Sequence, residues 1–201
     1  MKESNIIYKI VKFICYPFFM LFYHPRIIGK DNLLKNEGFI LAGNHKKNWD
    51  VFSLIAANKR KVHFFTKIEL FNTQLKNWFF TSMGCIPVDR KVKNKSSVEQ
   101  GIKYLKADKV IGIFPEGTHN KTSDIILPFK IGAVKMAFES NRKIIPFAIV
   151  GDYKIFGKGI KLIFGKPYSI KSSDLDKENQ LLMDKIIKLI KENQEWKKKK
   201  H

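Results

Sequence analysis

Short apolar runs rich in β-branched and aromatic residues, at 38–42, 62–66, 110–114, 144–150 and 160–164, punctuate the chain. Between them apolar residues recur every three or four positions, at 51–58, 73–80, 96–106, 132–140 and 175–196. The first pattern predicts buried strands and the second predicts helices. The closing stretch carries Leu175, Leu182, Ile186, Leu189 and Ile190 at helical spacing, with Ser173 or Asp174 placed to cap it. Strands alternating with helices predict an α/β fold with a mixed, largely parallel sheet flanked by helices. In such sheets, sites lie in the loops beyond the strand ends.

The segment before the first strand follows neither pattern. Residues 6–23 are almost wholly apolar, interrupted by Lys9, Lys12 and Pro17. The uncharged part, 13–23, is about half of the roughly 20 residues a helix needs to cross a bilayer. On a helix, Asn5, Lys9, Lys12 and Tyr16 share one face and Ile6, Ile7, Ile10, Phe13 and Ile14 take the remainder. This predicts an amphipathic helix at a membrane interface, kinked or broken into a pair at Pro17. Tyr8, Phe13, Tyr16, Phe18, Phe19, Phe22 and Tyr23 suit an interface belt. A buried core helix is the rival reading. A cleaved signal peptide fits poorly, because the run ends in Phe-Tyr-His-Pro-Arg without small residues. The expected division is a membrane-interface helical segment over 1–28 and an α/β domain over 29–201.

The chain has 201 residues, with 44% hydrophobic and 28% charged, an ordinary globular mixture. The net charge is not ordinary. It is +20, and the terminal run of four lysines supplies only a small part, so the folded body is basic. Such a body attracts phosphates, whether of nucleic acid, anionic lipid or a phosphorylated substrate. Cys15 and Cys85 sit in unrelated contexts and no Cys/His cluster has zinc spacing, so a reducing compartment and no metal are expected.

Unusual residues fall after two of the predicted strands. After the first comes Asn44-His45-Lys46-Lys47-Asn48-Trp49-Asp50, and after another Pro115-Glu116-Gly117-Thr118-His119-Asn120. On a continuous helix His45 and Asp50 would point about 140° apart. With His45 in the loop and Asp50 in the first turn of the following helix, the carboxylate can reach a ring nitrogen. The other nitrogen then becomes a base for a hydroxyl proton. No G-x-S-x-G elbow is present and neither cysteine adjoins a histidine, which favours direct transfer between two substrates over a covalent intermediate. A surface histidine near a helix-capping aspartate is the plain alternative.

Four ordered segments, NHKKNWD, GCIPVDR (84–90), FPEGTHN (114–120) and IIPFAIV (144–150), together resemble the blocks of the glycerolipid acyltransferase family. Within that family the chain resembles the bacterial 1-acylglycerol-3-phosphate acyltransferases. The likeness spans 38–167 and includes Pro128-Phe129-Lys130-Ile131-Gly132-Ala133 and Gly165-Lys166-Pro167-Tyr168. It implies a glycerol-3-phosphate acyltransferase-like fold. It also implies that His45 is the general base, oriented by Asp50, and that Arg90, Glu116, Gly117, Thr118, His119 and Lys130 bind the acceptor. Arg90 would engage the phosphate; Gly117 and Thr118 would offer close backbone and hydroxyl groups; Glu116 would meet glycerol hydroxyls or cations. Pro146 would shape the donor side or simply mark a strand edge. No cofactor is implied: acyl-CoA or acyl carrier protein enters as the donor substrate.

One position departs from the family. His119 stands where an arginine is usual, replacing a permanent bidentate fork by a partly charged ring. The implied activity is phosphatidic acid synthesis at the cytoplasmic face of the cell membrane by a peripheral or monotopic enzyme. Its partners would be a lysophospholipid acceptor, an acyl thioester and an anionic membrane surface. Another lysophospholipid, glycerol phosphate or a lipid-linked acceptor are the nearby alternatives. A catalytically idle lipid-binding relative is disfavoured by the intact His45 and Asp50. A nucleic-acid-binding protein is the reading from another class. It has the charge in its favour, but no recognisable module, and its aromatics cluster in the apolar N-terminal run.

Overall fold

The computed structural model describes residues 3–89, 95–157 and 159–194. Its elements are α1 (Asn5–Tyr23), β1 (Arg26–Ile28), β2 (Phe39–Gly43), α2 (Trp49–Ala57), β3 (Val62–Lys67), α3 (Gln74–Ser82), β4 (Ile86–Val88), α4 (Lys95–Lys106), β5 (Val110–Ile113), α5 (Gly132–Ser140), β6 (Lys143–Val150), β7 (Lys161–Phe164) and α6 (Leu175–Gln194). A 3-10 turn, Ile68–Phe71, leads into α3.

The strands form one sheet in the order β1-β7-β6-β2-β5-β3-β4. β6, β2, β5, β3 and β4 run parallel, β7 is antiparallel to β6, and β1 is parallel to β7. The five predicted runs are all strands. β1 and β4, three residues each at the two sheet edges, have no run long enough to reveal them. Arg26–Ile28, placed by sequence with the N-terminal segment, thus belong to the sheet.

The strand period of two splits the core into two layers. Phe39 and Leu41 of β2, with Ile145, Phe147 and Ile149 of β6, face α1 and α2. Ile40 and Ala42, with Ile144 and Ala148, face α4, α5 and α6. Pairing across β2 sets Leu41 opposite Gly112 on one side and Ile145 on the other. Gly101 lets α4 approach α5 closely, since a Cβ there would fall 2.4 Å from the Met136 sulfur. Asp174 caps α6, accepting from the Lys177 amide at 3.1 Å.

Of the two forms expected for the N-terminal segment, a helix or a helix pair, the single helix is found, and one expectation for its polar face is corrected. α1 is one unbroken helix of 19 residues with Pro17 inside it. The carbonyl that loses its partner belongs to Phe13, on the exposed side of the helix, where the loss is least costly. The expected lysine stripe is incomplete: Lys9 is exposed, but Lys12 does not share its surroundings. Lys12 turns inward and its ammonium donates to the Asn58 carbonyl at the end of α2, a favourable place for a cation. The inward face carries Tyr8, Phe19 and Tyr23, while Ile6, Ile10, Phe13, Ile14, Phe18 and Leu21 are exposed.

Candidate active site

Three loops at the carboxyl ends of β2, β5 and β6, neighbouring strands in the sheet, converge above its middle. In the first, Asn44 locks the end of β2 to β6: its amide donates to the Ile149 carbonyl at 3.0 Å and its oxygen accepts from the Ile149 amide at 2.7 Å. The chain then turns so that Asp50, the second residue of α2, faces back on His45. His45 Nδ1 lies 2.9 Å from Asp50 Oδ2. The same oxygen accepts from the amides of Lys46 at 2.6 Å and Lys47 at 2.8 Å. Asp50 is wholly buried, so these donors stabilise a carboxylate that has no water to turn to. The partner fixes the proton on Nδ1 and leaves Nε2 with its lone pair.

The second loop shapes the other side of the ring. Phe114 stacks on His45 at 3.9 Å between centroids, and the His119 ring lies 4.1 Å away, tilted. Asn120 donates its amide to the His45 carbonyl at 2.9 Å. Glu116 is held by two backbone amides. It is buried, and its two oxygens accept from the His45 amide at 2.8 Å and the Leu127 amide at 2.9 Å. Burial holds its carboxyl above the ordinary value, and these two bonds offset only part of that rise. Glu116 is therefore a clamp between two loops, each of its oxygens holding a backbone amide.

Gly117 has φ +70° and the Lys130 side chain crosses it, 3.0 Å from where a Cβ would sit. The backbone conformation is what demands glycine. Thr118 is exposed beside it. A cleft of about 310 Å³ opens next to His119, lined by Lys46, Lys47, Asn48, Trp49 and Lys121 as well. Its described lining is cationic, with no carboxylate. Arg90 lies outside the described residues. Pro146 is not at a sheet edge: it lies inside β6 opposite Ala42, where the ladder to β7 gives way to a single bond from the Gly165 amide.

The third loop supplies a residue that sequence reasoning missed. The Tyr153 hydroxyl donates to Asp50 Oδ1 at 2.8 Å. No motif surrounds it, and it stands 103 positions from its partner, so no spacing rule could have found it.

The arrangement holds an imidazole in a fixed orientation beside a cleft lined by cationic side chains. The acyltransferase family model matches residues 24–150. The chain is 35% identical to the 1-acyl-sn-glycerol-3-phosphate acyltransferase of Bacillus subtilis, over 71% of this chain and 72% of the relative. It is 29% identical to that of Borreliella burgdorferi, over 81% and 70%. The 1-acyl-sn-glycerophosphate (LPA) acyltransferase PlsC from Thermotoga maritima superposes with a TM-score of 0.74, covering 93% of this chain and 79% of that one at 18% identity; it shares the fold. With the family match over the region that holds the His45–Asp50 pair, this chain belongs to the acyltransferase family.

Proposed function

We propose that the chain transfers a fatty acyl group from a thioester to the free hydroxyl of 1-acylglycerol-3-phosphate, yielding phosphatidic acid. The observation that carries this reading is the His45–Asp50 pair at 2.9 Å beside the lysine-lined cleft. His45 Nε2 takes the hydroxyl proton as the oxygen attacks the thioester carbonyl. The tetrahedral adduct then expels the thiolate, which receives that proton. Asp50 stabilises the intervening imidazolium. Lys47, Lys121 and His119 hold the acceptor phosphate, with Gly117 and Thr118 offering backbone and hydroxyl groups near Lys130. The donor is acyl-CoA or acyl carrier protein, and no cofactor is required.

The same reading assigns α1 to the membrane. The helix has the length and mean hydropathy, 1.6, of a segment that could cross a bilayer. Its packing through Phe19 and Tyr23 against the domain supports a helix lying in the interface with its outer face in lipid. The test is to incubate the purified protein with liposomes, labelled acyl-CoA or acyl carrier protein, and a panel of acceptors. Labelled phosphatidic acid is expected. Label appearing instead on glycerol phosphate or another lysophospholipid would replace the acceptor, and no labelled product from any of them would sink the reading.

A further inference from the structure

Asp50 is wholly buried, and both of its oxygens have donors. Oδ2 takes three: the Lys46 amide, the Lys47 amide and His45 Nδ1. All three come from the loop that leads into α2, so they arrive with the local fold. Oδ1 takes the Tyr153 hydroxyl at 2.8 Å, from the loop after β6. Without it the carboxylate would be anchored through one oxygen and free to swing about that point.

The Tyr153 ring is held by α1. Tyr23 meets it edge-on at 5.6 Å between centroids and Phe19 lies at 6.1 Å. Ser53 Oγ approaches the hydroxyl at 2.9 Å. A second tie secures the same loop, since the Lys46 ammonium donates to the Gly151 carbonyl at 2.6 Å and lies 3.6 Å from Asp152. Burial, followed by the neighbouring Asp50 carboxylate, pushes the phenol above its ordinary value, so it remains a donor throughout the working pH range.

We propose that Tyr153 is a positioning residue for acyl transfer: it fixes the Asp50 carboxylate that orients His45, and because its ring is seated on α1, the docking of that helix sets the geometry of the pair. The inference rests on the acyl-transfer reading. Its physical content is specific. The hydroxyl spreads the charge of Asp50 over both oxygens. Removing it concentrates charge on Oδ2, strengthens the pull on the His45 Nδ1 proton and favours the imidazolium. It also frees the carboxylate to leave its productive plane. The other titratable groups around His45 remain in place: Lys46 and Lys47 of its own loop, Glu116 on its amide, His119 against its ring, and Lys121 and Lys130 from the loop before α5.

The experiment uses the full chain in vesicles and the variants Tyr153→Phe, Phe19→Leu and the double variant. Tyr153→Phe keeps the ring and deletes the bond. Its kcat is expected to fall about 10- to 100-fold, as for outer partners that orient a reactive group. KM for both substrates stays unchanged, and the acidic limb of the pH–kcat profile moves to higher pH. Phe19→Leu gives a smaller change of the same kind, and adds none in the Tyr153→Phe background. Wild-type kcat in Tyr153→Phe, or a lowered kcat with an unmoved acidic limb, would overturn the proposal, the latter by reducing Tyr153 to packing. An additive Phe19→Leu effect would overturn the link to α1. Protonation of the His45 ring, followed by NMR in the same proteins, needs no turnover. If the wild type transfers no acyl group, the functional reading falls, and the NMR midpoint, raised or unmoved by Tyr153→Phe, still decides the Tyr153 link.

Discussion

The two faces of the sheet are finished for different surroundings. On one, α4 and α6 bury Ile102, Leu105, Leu182, Ile186 and Ile190 and turn Glu99, Lys103, Asp176, Lys177, Asp184 and Lys188 outward. Exposed apolar residues there are scattered, as with Phe138 and Leu181. On the other, α1 buries Tyr8, Phe19 and Tyr23 and still leaves Ile6, Ile10, Phe13, Ile14 and Leu21 between 49% and 81% exposed. Leu75 and Trp78 of α3 and the Ile155–Phe156 tip, whose Phe156 packs on Phe22 of α1, continue this character. The first layer is amphipathic in the ordinary way. The second has apolar residues on both sides of a helix, which water does not reward and a lipid interface does. Tyr153 joins this second layer to the site, so the apolar side of the molecule is also the side on which the His45–Asp50 pair is supported.

The largest effect should come from the site, with both faces untouched. His45→Ala is expected to cut acyl transfer by about 10²- to 10⁴-fold, the usual worth of a general base. Asp50→Asn should cost less, since the imidazole remains. Circular dichroism and vesicle binding should match the wild type in the His45 variant. Near-normal turnover by His45→Ala would remove the mechanism.

The comparison itself is broken or sharpened by matched substitutions on the two faces. Ile186→Ala, in the layer finished for water, removes a side chain that is 0% exposed and should cost about 2–5 kcal/mol in denaturant unfolding. Phe13→Ser, at 81% exposure, should leave that stability unchanged. It should instead weaken sedimentation with vesicles about tenfold or more, the worth of roughly 1.5–3 kcal/mol for a buried aromatic side chain. Phe138→Ser is the control from the opposite face and should not alter vesicle binding. Loss of stability rather than of vesicle binding in Phe13→Ser would mean that α1 is covered by protein.

Much of this molecule was legible because its information is local. The five long strands, the five helices between and after them, and the folding back of Asp50 on His45 follow from short runs, period and a five-position spacing. What escaped depends on distant partners. β1 and β4 are strands because neighbours recruit them, not because Arg26–Ile28 or Ile86–Val88 announce it. Lys12 faces inward because the Asn58 carbonyl waits there, which no helical wheel of 5–23 contains. The tie that Glu116 makes between two loops was not visible either, because the amides it accepts from stand 71 and 11 positions away. Tyr153 had no signal at all, since its role exists only once β6 and α2 lie side by side.

The smallest expected effect tests how the apolar layer is fastened at its far end. Glu3, just before α1, binds Lys109 and lies 2.9 Å from His63 Nε2, while His63 Nδ1 lies 3.1 Å from the Val110 carbonyl. Burial works against the Glu3 carboxylate, but hydrogen bonds from Lys109 and His63 win and hold its pKa down to about 2. Burial lowers His63 below its ordinary 6.5, with Glu3 only partly restoring it. Both shifts have the same sign for stability. A depressed histidine contributes stability that is present above pH 6.5 and is lost as pH falls through its folded value. A depressed carboxylate contributes stability that is present above 4.5 and is lost toward about 2. Within this pair, acidification from pH 7.5 to 5.5 engages His63 and not Glu3, and should lower Tm by a few degrees at most. Hydrogen exchange should quicken first in the opening turn of α1, because Ser4 is tied to the Ser82 carbonyl beside this cluster. His63→Gln keeps a polar group at the site and should abolish that pH dependence while α6 exchanges as before. The opposite result, slower exchange at pH 5.5, would mean that the imidazolium, with an N–H for both Glu3 and Val110, gains more from its two partners than it loses by burial, and that acid tightens the apolar layer instead of loosening it.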